Sequence, residues 1–219
     1  GSGILSMNYP PFEQMNTIEE ARGLLTSMAE EISDRALSSL AFKVLEDSLF
    51  WEAPGSKDKH HAYVGGLAIH TAQVLFILRA LLKVYTLPPG RFDEVIVAVI
   101  WHDYGKIWEY RFVPEQAVRD EKDPLCIRQI PAHIEYTAHK TQIGHLSKSY
   151  GEFMAACRVL PQPLDGDVRD RISHMILGHH GRKEWGSPVV PETTEAFAIH
   201  CADMLSAQFS QDTHAHWRL

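Results

Sequence analysis

The sequence predicts an all-α fold: a helical bundle with an N-terminal helical pair and a long irregular insert. Three observations support this class. Apolar residues recur at helical spacing in several segments, alternating β-branched residues are scarce, and stretches rich in proline and glycine separate the segments. A chain of 219 residues is long enough for one domain with a substantial core.

The first half of the chain shows three predicted helices. Helical spacing over residues 17–50 predicts the N-terminal pair, with Asp34 as the break or N-cap between its members. Residues 52–59 contain Pro54-Gly55-Ser56 and several charges, which predicts a loop. A long helix is predicted over residues 65–85.

The second half begins where Leu87-Pro88-Pro89-Gly90 ends that long helix. A helix over residues 92–101 then places His102-Asp103 at its C-terminal end. Residues 106–137 lose helical periodicity and contain three prolines, which predicts an irregular insert that borders the site. Further helices are predicted over residues 142–159, 167–177 and 191–209.

The domain organisation follows from these elements. Residues 1–6 are interpreted as a cloning remnant ahead of Met7 and are excluded from the fold. Residues 7–59 are predicted to form an N-terminal helical segment that packs on the core, and residues 60–219 the main domain.

Composition and charge predict the kinds of partner, the redox state of the cysteines and the cellular location. A formal net charge of −7 gives no support for tight nonspecific binding to nucleic acid. The three cysteines are an odd number without a CxxC pair, so all are predicted to be reduced thiols: Cys126, Cys157 and Cys201. No apolar run of about 18 residues and no signal sequence is recognised, so we expect a cytoplasmic protein without a membrane partner.

His102-Asp103 is the strongest chemical signal, because it follows the apolar run of residues 95–101. Adjacent imidazole and carboxylate groups at a helix end can hold one divalent metal, and a bridging carboxylate can hold a second. The remaining candidates each lie on or at the end of a separate predicted helix: His70, His145, His179-His180 and Asp203. Helical bundles build internal metal sites in this way, with ligands that converge from facing helices.

The order of these motifs resembles the HD-domain metal-dependent phosphohydrolase superfamily. Its minimal signature matches His70, His102-Asp103 and Asp203, and His145 and His179 match the additional ligands of its dinuclear members. Longer phrases are similar to the HD domain of YhaM-type 3′-to-5′ exoribonucleases: HHAYVGGLAIHT (60–71), HDYGKIWE (102–109) and HHGRKEWGSP (179–188).

The resemblance implies an HD-domain helical bundle that binds two divalent metal ions. It implies that Asp103 bridges them, with His70, His102 and Asp203 at one ion and His145 and His179 at the other. Histidine and carboxylate ligands suit Mn, Fe, Ni, Co or Zn better than Mg alone, and the metal's identity stays open. In this arrangement Lys106 is expected to contact a phosphate oxygen or assist proton transfer.

Three residues after the fifth ligand are candidates for substrate binding: His180, Arg182 and Lys183. The alternatives for His180 are orientation of His179 or direct ligation of the metal. Arg182 and Lys183 have the charge to engage an anionic substrate, although cations after a helix end also interact favourably with its dipole and with solvent.

The function implied is hydrolysis of a phosphoester by metal-activated hydroxide. The expected substrate is a nucleotide or short single-stranded nucleic acid, and the enzyme a phosphodiesterase or nucleotidase. No strand-rich segment before His60 matches the family's OB-type domain, so a protein partner that supplies nucleic-acid binding is considered. Two alternatives stay open: a di-iron oxygenase of the same superfamily, and a metal-stabilised binding or regulatory module without turnover.

Overall fold

A computed structural model describes residues 15–119, 122 and 127–212; the predicted cloning remnant and Cys126 lie outside them. The N-terminal segment forms helices α1 (Ile18–Glu30), α2 (Arg35–Leu45) and α3 (Ser48–Glu52). Asp34 caps α2 as predicted, because its carboxylate accepts a hydrogen bond from the Leu37 amide. The short α3 was not predicted. It begins after Asp47, which caps it within the continuous apolar pattern.

The remaining helices form the body of the fold. They are α4 (Gly66–Leu81), α5 (Arg91–His102), α6 (Lys106–Glu109), α7 (His139–Gln142), α8 (His145–Arg158), α9 (Gly166–Gly178) and α10 (Thr194–Asp212). Helix α5 is central and packs against α2, α8 and α9, while α4 packs against α1 and α10. All residues from Val95 to Trp101 are buried. The all-α prediction for the bundle is confirmed.

Helix α4 is unusually apolar for its length. With the 3₁₀ turn that follows it, Gly66–Val84 is long and apolar enough to cross a membrane, with a mean hydropathy of 1.6. The expectation that no apolar stretch is long enough to span a membrane is therefore wrong as far as length and composition are concerned. Helices α1 and α10 cover this helix and 56% of its apolar window is buried, so its composition fits a core helix.

The insert corrects the sequence interpretation, because it contains strands. They are β1 (Tyr110–Val113), β2 (Gln116–Arg119), β3 (Ile127–Ile130) and β4 (His133–Tyr136). Strand β1 pairs antiparallel with β4, and β2 pairs antiparallel with β3. Each run of β-forming residues is only four residues long, and Pro114 and Pro131 lie between strands, where no ladder hydrogen bond is lost. We call residues 110–136 the β arm.

Cys157 and Cys201 are free cysteines, as expected for a chain without a disulfide framework. Burial raises the pKa of the Cys157 thiol to about 11, so this thiol is protonated at neutral pH.

Candidate metal centre

The six predicted ligands lie together at one end of the central helices. His70 comes from α4, the His102-Asp103 pair from the end of α5, and Asp203 from α10. His145 is the first residue of α8, and His179 follows the last residue of α9.

The two oxygens of Asp103 face different pairs of histidines. Asp103 Oδ2 lies 3.4 Å from Nε2 of His70 and 3.4 Å from Nε2 of His102. Asp103 Oδ1 lies 3.5 Å from Nε2 of His145 and 3.5 Å from Nε2 of His179. A carboxylate placed in this way has the geometry of a bridge between two metal positions.

Asp203 and His180 complete the two halves of the site. Asp203 Oδ1 lies 2.9 Å from His70 Nε2 and 3.8 Å from His102 Nε2. His180 Nε2 lies 3.1 Å from His145 Nε2, and donor atoms of His145, His179 and His180 lie within 4.8 Å of one another. We call seven residues the ligand cluster: His70, His102, Asp103, His145, His179, His180 and Asp203.

Buried atoms without hydrogen bonds show that the cluster suits a cation. Within the described residues, three buried side-chain atoms of the cluster have no partner at hydrogen-bond distance: His102 Nε2, His179 Nε2 and Asp103 Oδ1. Buried polar atoms in native proteins are almost always satisfied. Imidazole nitrogen and carboxylate oxygen are ligands for divalent transition metals, so these groups can hold a metal ion.

Main-chain carbonyls fix the orientation of two histidines. Nδ1 of His102 lies 2.6 Å from the carbonyl oxygen of Val99, and Nδ1 of His179 lies 2.7 Å from that of Ile176. A carbonyl only accepts, so Nδ1 carries the hydrogen and Nε2 presents its lone pair to the cluster. Both carbonyls belong to the last turn of a helix, where they have no partner within the helix.

His70 is held by two polar side chains that the sequence analysis missed. Ser206 Oγ donates to Gln73 Oε1 (2.9 Å) and accepts from Nδ1 of His70 (2.9 Å). Nε2 of His61 also bonds to Gln73 Oε1, at 2.8 Å. The only available signal was the position of Ser206 three residues after Asp203, which places both on one side of α10.

Glu109, also missed, holds His145. Its Oε1 accepts from the His145 amide at 2.6 Å and from His145 Nδ1 at 3.1 Å, while Lys140 Nζ lies 3.1 Å from Oε2. Burial alone would raise the pKa of Glu109, but His145 and Lys140 hold it below its ordinary value. A Cβ at Gly105 would lie 2.3 Å from the His145 carbonyl oxygen, so glycine allows α8 to begin beside Asp103.

We expect Glu109→Gln to weaken metal binding by about 10- to 100-fold, the usual effect of losing a partner behind a metal-binding histidine. The amide has half the acceptor capacity of the carboxylate and no charge, so His145 loses its fixed orientation. Chelator competition measures this affinity. Glu152→Gln is the matched control, because Glu152 pairs only with Lys148 on the surface of α8 in the contacts described. Equal affinity in both variants would contradict the role of Glu109.

Lys106 forms a buried ion pair with Asp103. Its Nζ lies 2.6 Å from Asp103 Oδ2, and both side chains are at most 10% exposed. Burial opposes both charges, but each charge offsets the cost for the other. The pKa of Asp103 therefore stays well below its ordinary value, with His102 contributing, and the pKa of Lys106 is raised.

The two other predicted substrate-binding residues lie on the surface. Arg182 and Lys183 are exposed in the turn after His180. The Arg182 guanidinium lies 4.9 Å from the ring centre of Trp185, and His180 Nδ1 bonds to the Trp185 carbonyl oxygen at 2.8 Å. This turn therefore joins the ligand cluster to an exposed basic and aromatic surface.

The family is established by sequence comparison. The model of the HD domain matches residues 67–208, which include every predicted ligand. The chain therefore belongs to the HD domain family, as the order of its motifs predicted.

The similar curated proteins are bacterial 3′-5′ exoribonucleases named YhaM. Those of Geobacillus sp. (strain WCH70) and Bacillus subtilis (strain 168) are each 30% identical over 161 residues, 74% of this chain and 43% and 44% of the relatives. That of Listeria innocua is 26% identical over 204 residues, 93% of this chain and 58% of the relative. The chain thus spans about half the length of the curated relatives it matches. No solved structure matches significantly.

Proposed function

We propose that this chain is a metal-dependent phosphodiesterase that acts on single-stranded nucleic acid. The observation that carries the proposal is the position of Asp103, whose two carboxylate oxygens each face a different pair of histidines. The YhaM relatives, whose name states exoribonuclease activity, support the choice of a nucleic-acid phosphodiester over a phosphate monoester.

Two divalent ions are proposed, bridged by Asp103. The first would be held by His70, His102 and Asp203, and the second by His145 and His179. The sequence suggested His180 as a substrate-binding group, but its distance of 3.1 Å to His145 favours the metal shell. A set this rich in nitrogen favours Mn, Fe, Ni, Co or Zn over Mg.

When bound, the two ions supply Lewis-acid polarisation of the phosphoryl oxygen and activation of water. The chain itself positions the reacting groups. Lys106 stays protonated at Nζ beside Asp103 and offers further N–H donors to a phosphate oxygen. Arg182 and Lys183 provide positive charge at the exposed edge, where the rest of a strand would lie.

The test combines elemental analysis with hydrolysis of bis(p-nitrophenyl) phosphate and of a short single-stranded RNA, with Mn or Ni restored after chelation. We expect about two metals per chain and hydrolysis of both substrates only after metal is restored. Metal-independent hydrolysis would contradict the mechanism. Hydrolysis of the small diester without cleavage of RNA would contradict the substrate.

Lys106→Met should lower kcat by about 100-fold, the order of effect expected for one positioned charge or proton donor. Metal content should be unchanged, because Lys106 offers no lone pair while protonated. Lys148→Met is a matched control, since Lys148 lies on α8 near Trp108 and pairs with Glu152. Loss of metal from the Lys106 variant would show instead that the lysine supports the ligands.

The two alternatives from the sequence receive no support from the relatives named above. Those of Geobacillus, Bacillus subtilis and Listeria innocua are all named exoribonucleases, so they favour neither an oxygenase nor a binding module without turnover. The cytoplasmic location and a protein partner that supplies further nucleic-acid binding belong to the same proposal.

A further inference from the structure

Two tyrosines face each other at the base of the β arm. Tyr110 of β1 and Tyr136 of β4 are directly paired across the ladder, and their ring centres lie 5.5 Å apart. Tyr136 is 46% exposed, whereas Tyr110 is partly covered. One aromatic surface is therefore presented to solvent where the arm leaves the bundle.

This surface is joined to the ligand cluster through Glu109. Tyr110 follows Glu109 in the chain, and the amide of Thr137, the residue after Tyr136, donates to the Glu109 carbonyl oxygen at 2.9 Å. The Glu109 side chain holds His145. Burial raises the pKa of Tyr110, and the carboxylates of Glu109 and Asp103 raise it further, which agrees with a position close to the centre.

Two lysines lie over the exposed ring of Tyr136 in cation–π contacts. Lys57 Nζ lies 5.0 Å from the ring centre of Tyr136, and Lys140 Nζ lies 5.7 Å from it. Lys57 comes from the exposed loop before His60, whereas Lys140 lies on α7 and pairs with Glu109. A local pair of cations beside an aromatic ring contrasts with the chain's net charge of −7.

An exposed aromatic ring beside lysines matches the chemistry of single-stranded nucleic acid. Unpaired bases stack on aromatic side chains regardless of sequence, and cations contact the adjoining phosphates. We propose that Tyr136, Lys57 and Lys140 form a nucleotide subsite, in which a base of the strand stacks on Tyr136 and a neighbouring phosphate contacts Lys57. The inference rests on the proposed function, since it adds a second contact for the same substrate.

The proposed occupant of the subsite is a single strand. The three residues are not members of the ligand cluster but border it, because Lys140 bonds to Glu109, which holds His145. A strand can therefore place one base on Tyr136 while it presents a phosphodiester to the cluster. A duplex is disfavoured, because its bases are already stacked and cannot present a face to Tyr136.

The experiment measures binding of a fluorescein-labelled 2′-O-methyl phosphorothioate hexamer, which resists cleavage, to the metal-loaded protein. Tyr136→Ala should weaken binding by about 5- to 100-fold, the range for loss of one stacked base, and Tyr136→Phe should restore it. Lys57→Gln should make the slope of the logarithm of the binding constant against the logarithm of the salt concentration shallower by about 0.7. This is the change expected when one phosphate contact to a single strand is lost.

Tyr85→Ala is the matched control. Tyr85 is 48% exposed and follows the 3₁₀ turn after α4, about 20 Å along the helix axis from His70. This variant should bind the hexamer like the unaltered protein. An equal loss for the Tyr85 and Tyr136 variants would overturn the subsite.

Hydrolysis of bis(p-nitrophenyl) phosphate separates the subsite from the metal centre. This small diester lacks the neighbouring nucleotides of a strand, so Tyr136→Ala should lower its rate of hydrolysis far less than it lowers binding of the hexamer. A parallel loss of both activities would show that Tyr136 acts through Glu109 and would overturn the subsite, as would unchanged binding of the hexamer. If binding of the hexamer depends on Tyr136 but the unaltered protein hydrolyses neither bis(p-nitrophenyl) phosphate nor single-stranded RNA, the subsite is upheld and the proposed function is contradicted.

Discussion

Asp103→Asn is expected to abolish phosphodiester hydrolysis and to empty both metal positions. Each oxygen of this carboxylate faces its own pair of histidines, so one substitution affects both halves of the cluster. The loss of kcat should be at least about 10³-fold, beyond the 10²- to 10³-fold effect of removing a single transition-state donor. Elemental analysis and the rate of diester hydrolysis measure both effects.

The asparagine variant keeps the shape of the side chain, so the helical circular dichroism spectrum should be retained. Asp93→Asn is the control on the same helix, because Asp93 lies in the first turn of α5 and bonds to Ser33. Its metal content and rate should match the unaltered protein. If Asp103→Asn retains two metals and normal turnover, Asp103 is not the bridge.

Removal of metal should lower the melting temperature by about 8–16 °C. Three buried atoms of the cluster, His102 Nε2, His179 Nε2 and Asp103 Oδ1, have no partner at hydrogen-bond distance, and a bound cation would satisfy them only in the folded state. A ligand at a thousand times its Kd stabilises by about 4 kcal/mol, and each kcal/mol shifts Tm by about 2–4 °C in a domain of this size. Calorimetry before and after restoring Mn measures the shift.

His179→Ala should lose most of this stabilisation by metal, because it removes one ligand of the cluster. His174→Ala is the control on α9, since His174 instead accepts a hydrogen bond from the Glu192 amide. The control should have a slightly lower Tm but keep the shift on metal addition. Identical melting of the unaltered protein with and without metal would mean that the cluster holds no ion in the folded state.

The sequence predicted the six side chains that the fold brings together, because their signal is local. His102-Asp103 and His179 come directly after apolar runs at helix ends, and the order of motifs along the chain matches the family. The supporting residues carry no such signal. Ser206 contacts His70 across 136 positions and Glu109 contacts His145 across 36, so these roles depend on tertiary packing.

The β arm was missed for a different reason. Its strands are four residues long, too short for alternation to be distinguished from irregular chain, and their pairing joins residues up to 26 positions apart, as Tyr110 with Tyr136. For His180 the sequence left three roles open: substrate binding, orientation of His179 and ligation of the metal. The fold places its Nε2 3.1 Å from that of His145, a proximity that the sequence could not indicate.

The orientation of the histidines determines which parts of the centre point mutations can adjust. Each oxygen of Asp103 faces one histidine held by a main-chain carbonyl, His102 or His179, and one held by a side chain, His70 or His145. No substitution removes a main-chain carbonyl, so the hydrogen bonds that orient His102 and His179 do not depend on the side chains of Val99 and Ile176. Ser206 and Glu109 are replaceable side chains, so each oxygen of Asp103 faces one histidine whose orientation a single substitution can release.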